Sequence, residues 1–423
     1  MKILAYLSRL LVGSLFIVSG LIKANDPLGF SYKLEEYFME FGMDFLIPAT
    51  LVIAIFICVI EVVLGAAALF AIKIKPVSWL LLVMIVFFTF LTFASWVFDI
   101  VRDCGCFGDA LKLTPYQSFM KDVVLLVFVL IIFLTRKHIQ RETPKQNVIS
   151  LLMATVLVAV FCLGILNNTW AFPIWFTLVM MAVLWGLNMA LGEQKADRPI
   201  LIVSTILSLV FTLYCLWHLP VKDFRAYAVG KNIPEGMVVP EGAAQDVYET
   251  ILMYKNKNTG EVKEFTIQNY PWQDTANWAH AETINRLISE GYNPPIYDFT
   301  ITSDDGDITE EVLANPGYYF VVVAYDLDYA DMGCQEKLNA LINAAEKENV
   351  TALGLTASSG KINDFRHEVQ AMYPYYITDG KTLKTIIRSN PGLLLIKEGT
   401  ILAKWHYNDI PEWPEVKKTL IKK

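Results

Sequence analysis

Seven apolar runs, each about as long as a membrane-spanning helix, follow one another through the first 219 residues, and no other feature restricts the fold as strongly. They cover residues 4–22, 45–72, 77–100, 117–135, 148–166, 170–191 and 199–217. In hydrocarbon every backbone N–H and C=O needs an internal partner, so runs of this kind are expected to be helical. The fifth and sixth are separated only by Asn167, Asn168 and Thr169, and a re-entrant hairpin or a different count there, five spans in place of seven, is the alternative. Beyond His218, Leu219 and Pro220 charged and amide residues return to ordinary density, which sets the main boundary. A content of 55% hydrophobic and 18% charged residues fits a chain solvated partly by lipid. The net charge of −7 comes without a basic cluster, so nucleic acid is excluded as a partner.

Lys and Arg in the short loops orient the bundle. Lys73 and Lys75, then Arg136, Lys137, Arg141 and Lys145, then Lys195 and Arg198 fall in alternate loops, on the side of Lys2 and Arg9; that side is expected to be cytoplasmic. With seven spans, the loop around Asp103 and the whole C-terminal domain share the opposite, periplasmic or outer side of the cytoplasmic membrane. The first run lacks a small-residue cleavage site and continues through Lys23 into an amphipathic stretch, residues 31–41, so it reads as a retained anchor. That stretch is expected along the outer interface, with Tyr37, Phe38 and Phe41 against lipid or the bundle, or else as a lid.

Six cysteines are present. Cys58, Cys162 and Cys215 sit in apolar runs, where cysteine is ordinarily a small packing residue. Cys104 and Cys106 differ, because they flank Gly105 in Asp-Cys-Gly-Cys-Phe-Gly-Asp, residues 103–109, between two spans. A disulfide closed over one intervening residue departs from relaxed geometry and is easily reduced, which suits a pair that passes oxidising equivalents. A static disulfide, a reduced packing pair and half of a metal site are the alternatives; no Cys/His cluster at zinc spacing accompanies it in the sequence.

The string Asp103 to Gly108, followed by Lys121 and Asp122, resembles the DoxX/MauE group of redox-associated membrane proteins. Arg9, Gly13, Phe16, Gly20 and Lys23 in the first run, and Glu61 and Gly65 in the second, fit the same group. The resemblance covers residues 1–137 as a four-helix unit, leaving 138–219 as three further helices, and implies disulfide or electron transfer outside the cytoplasm. Glu61 lies within an apolar run, where a charged side chain is costly and finds a partner; Arg9 and Lys23 have the right sign. It is a proton partner of the thiol pair, half of a structural ion pair, or a protonated, hydrogen-bonded acid.

Residues 220–293 read as an irregular linker and an extension. Residues 248–254 and 261–267 alternate around Asn258, Thr259 and Gly260 as a β-hairpin, and 279–289 reads as a short helix. From 294 to 423 the order is strand (296–302), strand (318–325), helix (335–348), strand (351–356), helix (361–370), strand (392–397) and strand (401–406), an α/β sheet with a final antiparallel pair. Pro295 to Phe299, Asp305 with Gly306, and Pro391 before Leu393 resemble the TlpA-like branch of the thioredoxin fold, Pro391 at the cis-proline position. Where that family carries Cys-x-x-Cys, this chain has Asp331, Met332, Gly333 and Cys334, so dithiol catalysis by the domain alone is disfavoured.

The expected architecture is a multi-span α-helical membrane bundle plus a C-terminal thioredoxin-like α/β domain. The expected activity is thiol-disulfide or electron transfer by Cys104 and Cys106, with Glu61 as proton partner. A thiol-bearing protein client is held at Pro391 and Cys334. A quinone is the two-electron acceptor by analogy alone with bundle-type thiol oxidases such as the vitamin K epoxide reductase group; no quinone motif is visible. The rival is a non-enzymatic assembly or client-binding protein in which the bundle is an anchor and the Cys-Gly-Cys string holds a loop.

Overall fold

The computed structural model describes residues 2–98, 100, 107–166, 170–245, 247–289 and 291–421. The membrane part comprises α1 (Lys2–Asn25), α2 (Pro27–Glu40), α3 (Thr50–Leu69), α4 (Ile74–Phe98), α5 (Pro115–Thr135), α6 (Pro144–Val160), α7 (Phe172–Leu191) and α8 (Glu193–Trp217). Among the described residues seven helices, all of these but α2, with α6 carried on through the π-helical turn Phe161–Ile165, are long and apolar enough to cross a membrane, which makes this a multi-pass membrane protein. Residues 148–166 and 170–191 supply two separate helices of spanning length, α6 and α7.

Local chemistry starts the helices where they start. Thr114-Pro-Tyr-Gln117 and Thr143-Pro-Lys-Gln146 both form capping boxes: the threonine hydroxyl accepts from the glutamine N–H, and the glutamine side chain accepts from the threonine N–H. Asp26 caps α2 by accepting from the Gly29 N–H, so the chain turns sharply at the end of α1. The central α1 packs on α3 at backbone distance: a Cβ on Gly65 would lie 2.7 Å from the Gly13 carbonyl oxygen, and one on Gly13 would lie 2.9 Å from that of Gly65. Small residues at such crossings replace the hydrophobic drive that lipid does not supply. The amphipathic α2 folds onto the bundle, not into lipid. Tyr37 and Phe38 are buried, the Tyr37 hydroxyl and Ser95 Oγ share a 2.9 Å hydrogen bond, and Phe41 stacks on Phe90.

Beyond α8 come α9 (Ile233–Met237) and three antiparallel strands, β1 (Val247–Asn256), β2 (Val262–Thr266) and β3 (Trp278–Ser289), in the order β2-β1-β3. The hairpin of β1 and β2 is the one read from the sequence. Residues 279–289, expected as a helix, are instead strand β3, paired with β1 from Trp278 to Ser289. Most of that segment is exposed, so a helix would have had no face to bury, whereas on β1 its backbone is paired along its length.

The remaining elements are β4 (Thr302–Ser303), β5 (Gly306–Asp307), α10 (Thr309–Leu313), β6 (Tyr318–Val323), α11 (Gln335–Glu346), β7 (Thr351–Thr356), α12 (Ile362–Val369), β8 (Tyr375–Ile377), α13 (Gly380–Ile386), β9 (Gly392–Lys397), β10 (Thr400–His406) and α14 (Trp413–Thr419). The sheet order is β10-β9-β6-β7-β8-β4-β5, with β6, β7 and β8 parallel and the flanking pairs antiparallel. Central β6 is apolar on both faces. Phe320 and Val322 pack with Leu338, Ile342 and Trp413, while Tyr319, Val321 and Val323 pack with Phe299, Leu383 and Ile386. The expected strand at 296–302 survives only at Thr302, paired with Ile377. Ile296, Phe299 and Ile301 are pinned by burial, and the Ile301 N–H is satisfied by Thr309 Oγ1 at 2.7 Å, so the segment needs no ladder.

A candidate site where the bundle meets the soluble domain

Lys23, near the end of α1, reaches Glu61 in α3: its Nζ donates to Oε1 at 2.7 Å, to Oε2 at 2.9 Å and to Ser19 Oγ at 2.7 Å. Both side chains are buried, and the ammonium lies 4.8 Å from the Phe88 ring centroid and 5.6 Å from that of Phe30. Arg9, the other cation of suitable sign, is engaged elsewhere, donating to Glu142 at 2.8 Å and to the carbonyls of Ala68 and Leu69. Glu61 is therefore one half of a buried ion pair with Lys23.

A second buried carboxylate faces the first. Asp122, in α5, is paired with Lys121 at 2.7 Å and accepts from Thr92 Oγ1 at 3.1 Å. A cavity of about 30 Å³ lies between the two pairs, lined by Ser19, Lys23, Glu61, Lys121, Asp122 and Phe107. The sequence names Lys121 and Asp122 only as positions that fit the DoxX/MauE resemblance and assigns them no role; Asp122, two turns into α5, is past the first turn where an acid serves the helix dipole.

Cys104 and Cys106 lie outside the described residues. Phe107, bonded to Cys106 in the chain, is described and buried, with the Lys121 ammonium 4.9 Å from its ring centroid and Phe161 packed against it. Phe107 and Lys23 line the small cavity and also a cleft of about 640 Å³ that opens between the bundle and the soluble domain. The two sides of this cleft are bonded together. Arg388 Nε donates to Asp26 at 2.9 Å, the hydroxyls of Tyr32 and Tyr325 share a 3.3 Å hydrogen bond, Lys381 meets Glu36 at 3.1 Å, and Asn25 Nδ2 donates to the Lys222 carbonyl at 2.8 Å. Asp109, in the segment after Phe107, stands 3.9 Å from Arg388.

Cys334 and Pro391 are adjacent in space, since the Asp331 N–H donates to the Asn390 carbonyl at 2.9 Å and the Asn390–Pro391 bond is cis. Cys334 stands at the N-terminal boundary of α11 without capping it, and is buried: its N–H donates to Asp331 Oδ1 at 3.0 Å and its thiol to the Asp331 carbonyl at 3.4 Å. Burial first, then the charge of Asp331, pushes the thiol up to about 12. A thiol so held is a weak nucleophile. Three residues before Pro391, Arg388 joins this segment to α2, so the Pro391 edge of the domain is the edge that abuts the bundle.

Fold and site together define a multi-pass membrane protein with a thioredoxin-like domain seated on one end of its helical bundle. Residues 1–135 match the family model of methylamine utilisation protein MauE, which bears out the resemblance carried by the Cys-Gly-Cys-Phe-Gly string. Residues 248–290, the three-stranded sheet, match a domain of unknown function, DUF8463. The chain is similar to protein TlpB of Flavobacterium psychrophilum, 27% identical over 191 residues that make up 40% of this chain and 47% of TlpB, so it spans about half the length of that curated relative. No solved structure matches the chain.

Proposed function

We propose that this protein is a membrane-bound redox protein that carries out thiol-disulfide exchange at the domain-bearing end of the bundle, which the Lys and Arg distribution assigns to the outer face of the cytoplasmic membrane. Cys104 and Cys106 are the exchanging pair, Glu61 handles protons beside them, and the soluble domain holds a protein client that bears thiols. The observation that carries this reading is the placement of Phe107. The residue bonded to Cys106 lines both the cavity of Glu61 and the cleft that Arg388, three residues before Pro391, also lines. Electrons and atoms balance within the exchange: two client thiols become a disulfide while the Cys104–Cys106 disulfide becomes two thiols, and two protons pass from client to loop. The likeness to MauE and to TlpB supports a membrane-associated, thiol-related role.

The buried thiol of Cys334 supports a soluble domain that holds a client without exchanging with it. The binding-module reading differs only in denying the loop pair a turnover. Acid quenching, mass-shifting maleimide labelling and peptide mass spectrometry should find Cys104 and Cys106 in a mixture of oxidation states that follows the redox conditions of growth. Cys104→Ser and Cys106→Ser should each abolish client oxidation. Wild-type oxidation in either variant, or a pair locked in one state, refutes exchange and leaves the binding module.

A further inference from the structure

We propose that the cavity between the Lys23–Glu61 and Lys121–Asp122 pairs is a buried water site, and that Asp122 is a second proton carrier, passing protons between Glu61 and the cleft below the soluble domain. This rests on the exchange reading above. Four observations carry it. First, the cavity is large enough and has polar residues in its wall: about 30 Å³ exceeds what one water molecule needs, and Ser19, Lys23, Glu61, Lys121 and Asp122 line it among mostly apolar neighbours. Second, Asp122 is 1% exposed in a spanning helix, yet two of its contacts are to groups that donate, Lys121 at 2.7 Å and Thr92 at 3.1 Å, so its charge is accommodated inside the bundle. Third, Lys23 and Phe107 line the small cavity and the open cleft alike, so the distance from solvent to the acids is one layer of side chains. Fourth, Ser118 stands one helical turn before Asp122 and lines the cleft; it is 1% exposed, and its Oγ has no hydrogen-bond partner among the described residues. A buried hydroxyl without a partner is costly, and water at this point would satisfy it and continue the path from the cleft to Asp122.

The chemistry requires such a carrier. A client thiol must lose its proton to attack the loop disulfide, and the departing loop thiolate must gain one, so each of the two exchange steps moves a proton from an attacking to a leaving sulfur. Glu61 with water accepts the first proton, and Asp122, facing Lys121 on its own helix, Thr92 on α4, and Lys23 and Glu61 across the cavity, returns it. No electron passes through the cluster.

The test is infrared difference spectroscopy of the full chain in nanodiscs, perfused alternately with reduced and oxidised dithiothreitol, together with the pH profile of its oxidation of dithiothreitol. In wild type the switch should produce a carboxyl band that shifts in D2O, and the band should vanish in Asp122→Asn. Exchange in Asp122→Asn should be slowed about 10²-fold, the scale of a general acid or base, with the acid limb of its pH profile displaced and with recovery in Asp122→Glu. Melting temperature measured alongside separates loss of fold from loss of proton transfer. A wild-type carboxyl band and pH profile in folded Asp122→Asn overturns the proposal. A wild-type spectrum identical to that of Cys104→Ser overturns the exchange reading, and the proton role with it.

Discussion

Lys23 and Glu61 allow the ion pair to be separated from whatever chemistry it supports. In Glu61→Leu the ammonium of Lys23 loses both carboxylate oxygens but keeps Ser19 Oγ at 2.7 Å and the ring faces of Phe88 and Phe30. In Lys23→Met the carboxylate of Glu61 loses both of its hydrogen bonds. Removing one partner of a buried pair costs about 3–5 kcal/mol, because the charge left behind is neither solvated nor paired. The surviving contacts of Lys23 place Glu61→Leu near the lower figure, about 3 kcal/mol, and the stripped carboxylate places Lys23→Met near the upper, about 5 kcal/mol. The double variant buries two apolar side chains of similar volume and should fall within about 1 kcal/mol of wild type. Unfolding by titration of the micelle-solubilised chain with a denaturing detergent measures all four states. A double variant whose cost equals the sum of the two singles would refute the pair as the organiser of this site. If the double variant folds and Glu61 carries protons, exchange remains slow although stability has returned.

Two further outcomes follow from the soluble domain. His406 is buried, accepts the Asn408 N–H at Nδ1 and is pushed down to about 4, chiefly by burial. Its folded value lies below the unfolded one of about 6.5, so between these values the unfolded chain binds a proton that the native chain refuses; stability is complete above about pH 6.5 and falls toward pH 4 by up to about 3 kcal/mol. Thermal unfolding of the full chain across this range should show that slope, and His406→Asn should flatten it; an unchanged slope removes His406 as its source. Cys334, buried and pushed up to about 12, should resist iodoacetamide at pH 8 for as long as the domain is folded and react at once on unfolding. Labelling at the rate of a free cysteine in the native protein would contradict the Asp331 hydrogen bonds.

Apolar run length placed all seven spanning helices, because a backbone in lipid has one way to satisfy itself, and the alternation around Gly260 placed the β1–β2 hairpin because that pattern is a local property. The Cys-Gly-Cys-Phe-Gly string and the lone Cys334 could likewise be read without coordinates, as could the need of Glu61 for a cation. Which cation it takes is a tertiary matter. Arg9 and Lys23 have the same sign and share a helix, and only the close crossing of α1 and α3 at Gly13 and Gly65 brings Lys23 to Glu61 while Arg9 meets Glu142. Strand β3 was misread because its partner β1 lies more than 20 residues away and decides by pairing what its own exposed side chains leave open. Asp122 is the plainest case. In the sequence it is a position that fits the DoxX/MauE resemblance with no role attached, and it becomes the second carboxylate of a buried cavity only because α5 packs against α1 and α4 with Phe107 closing the gap.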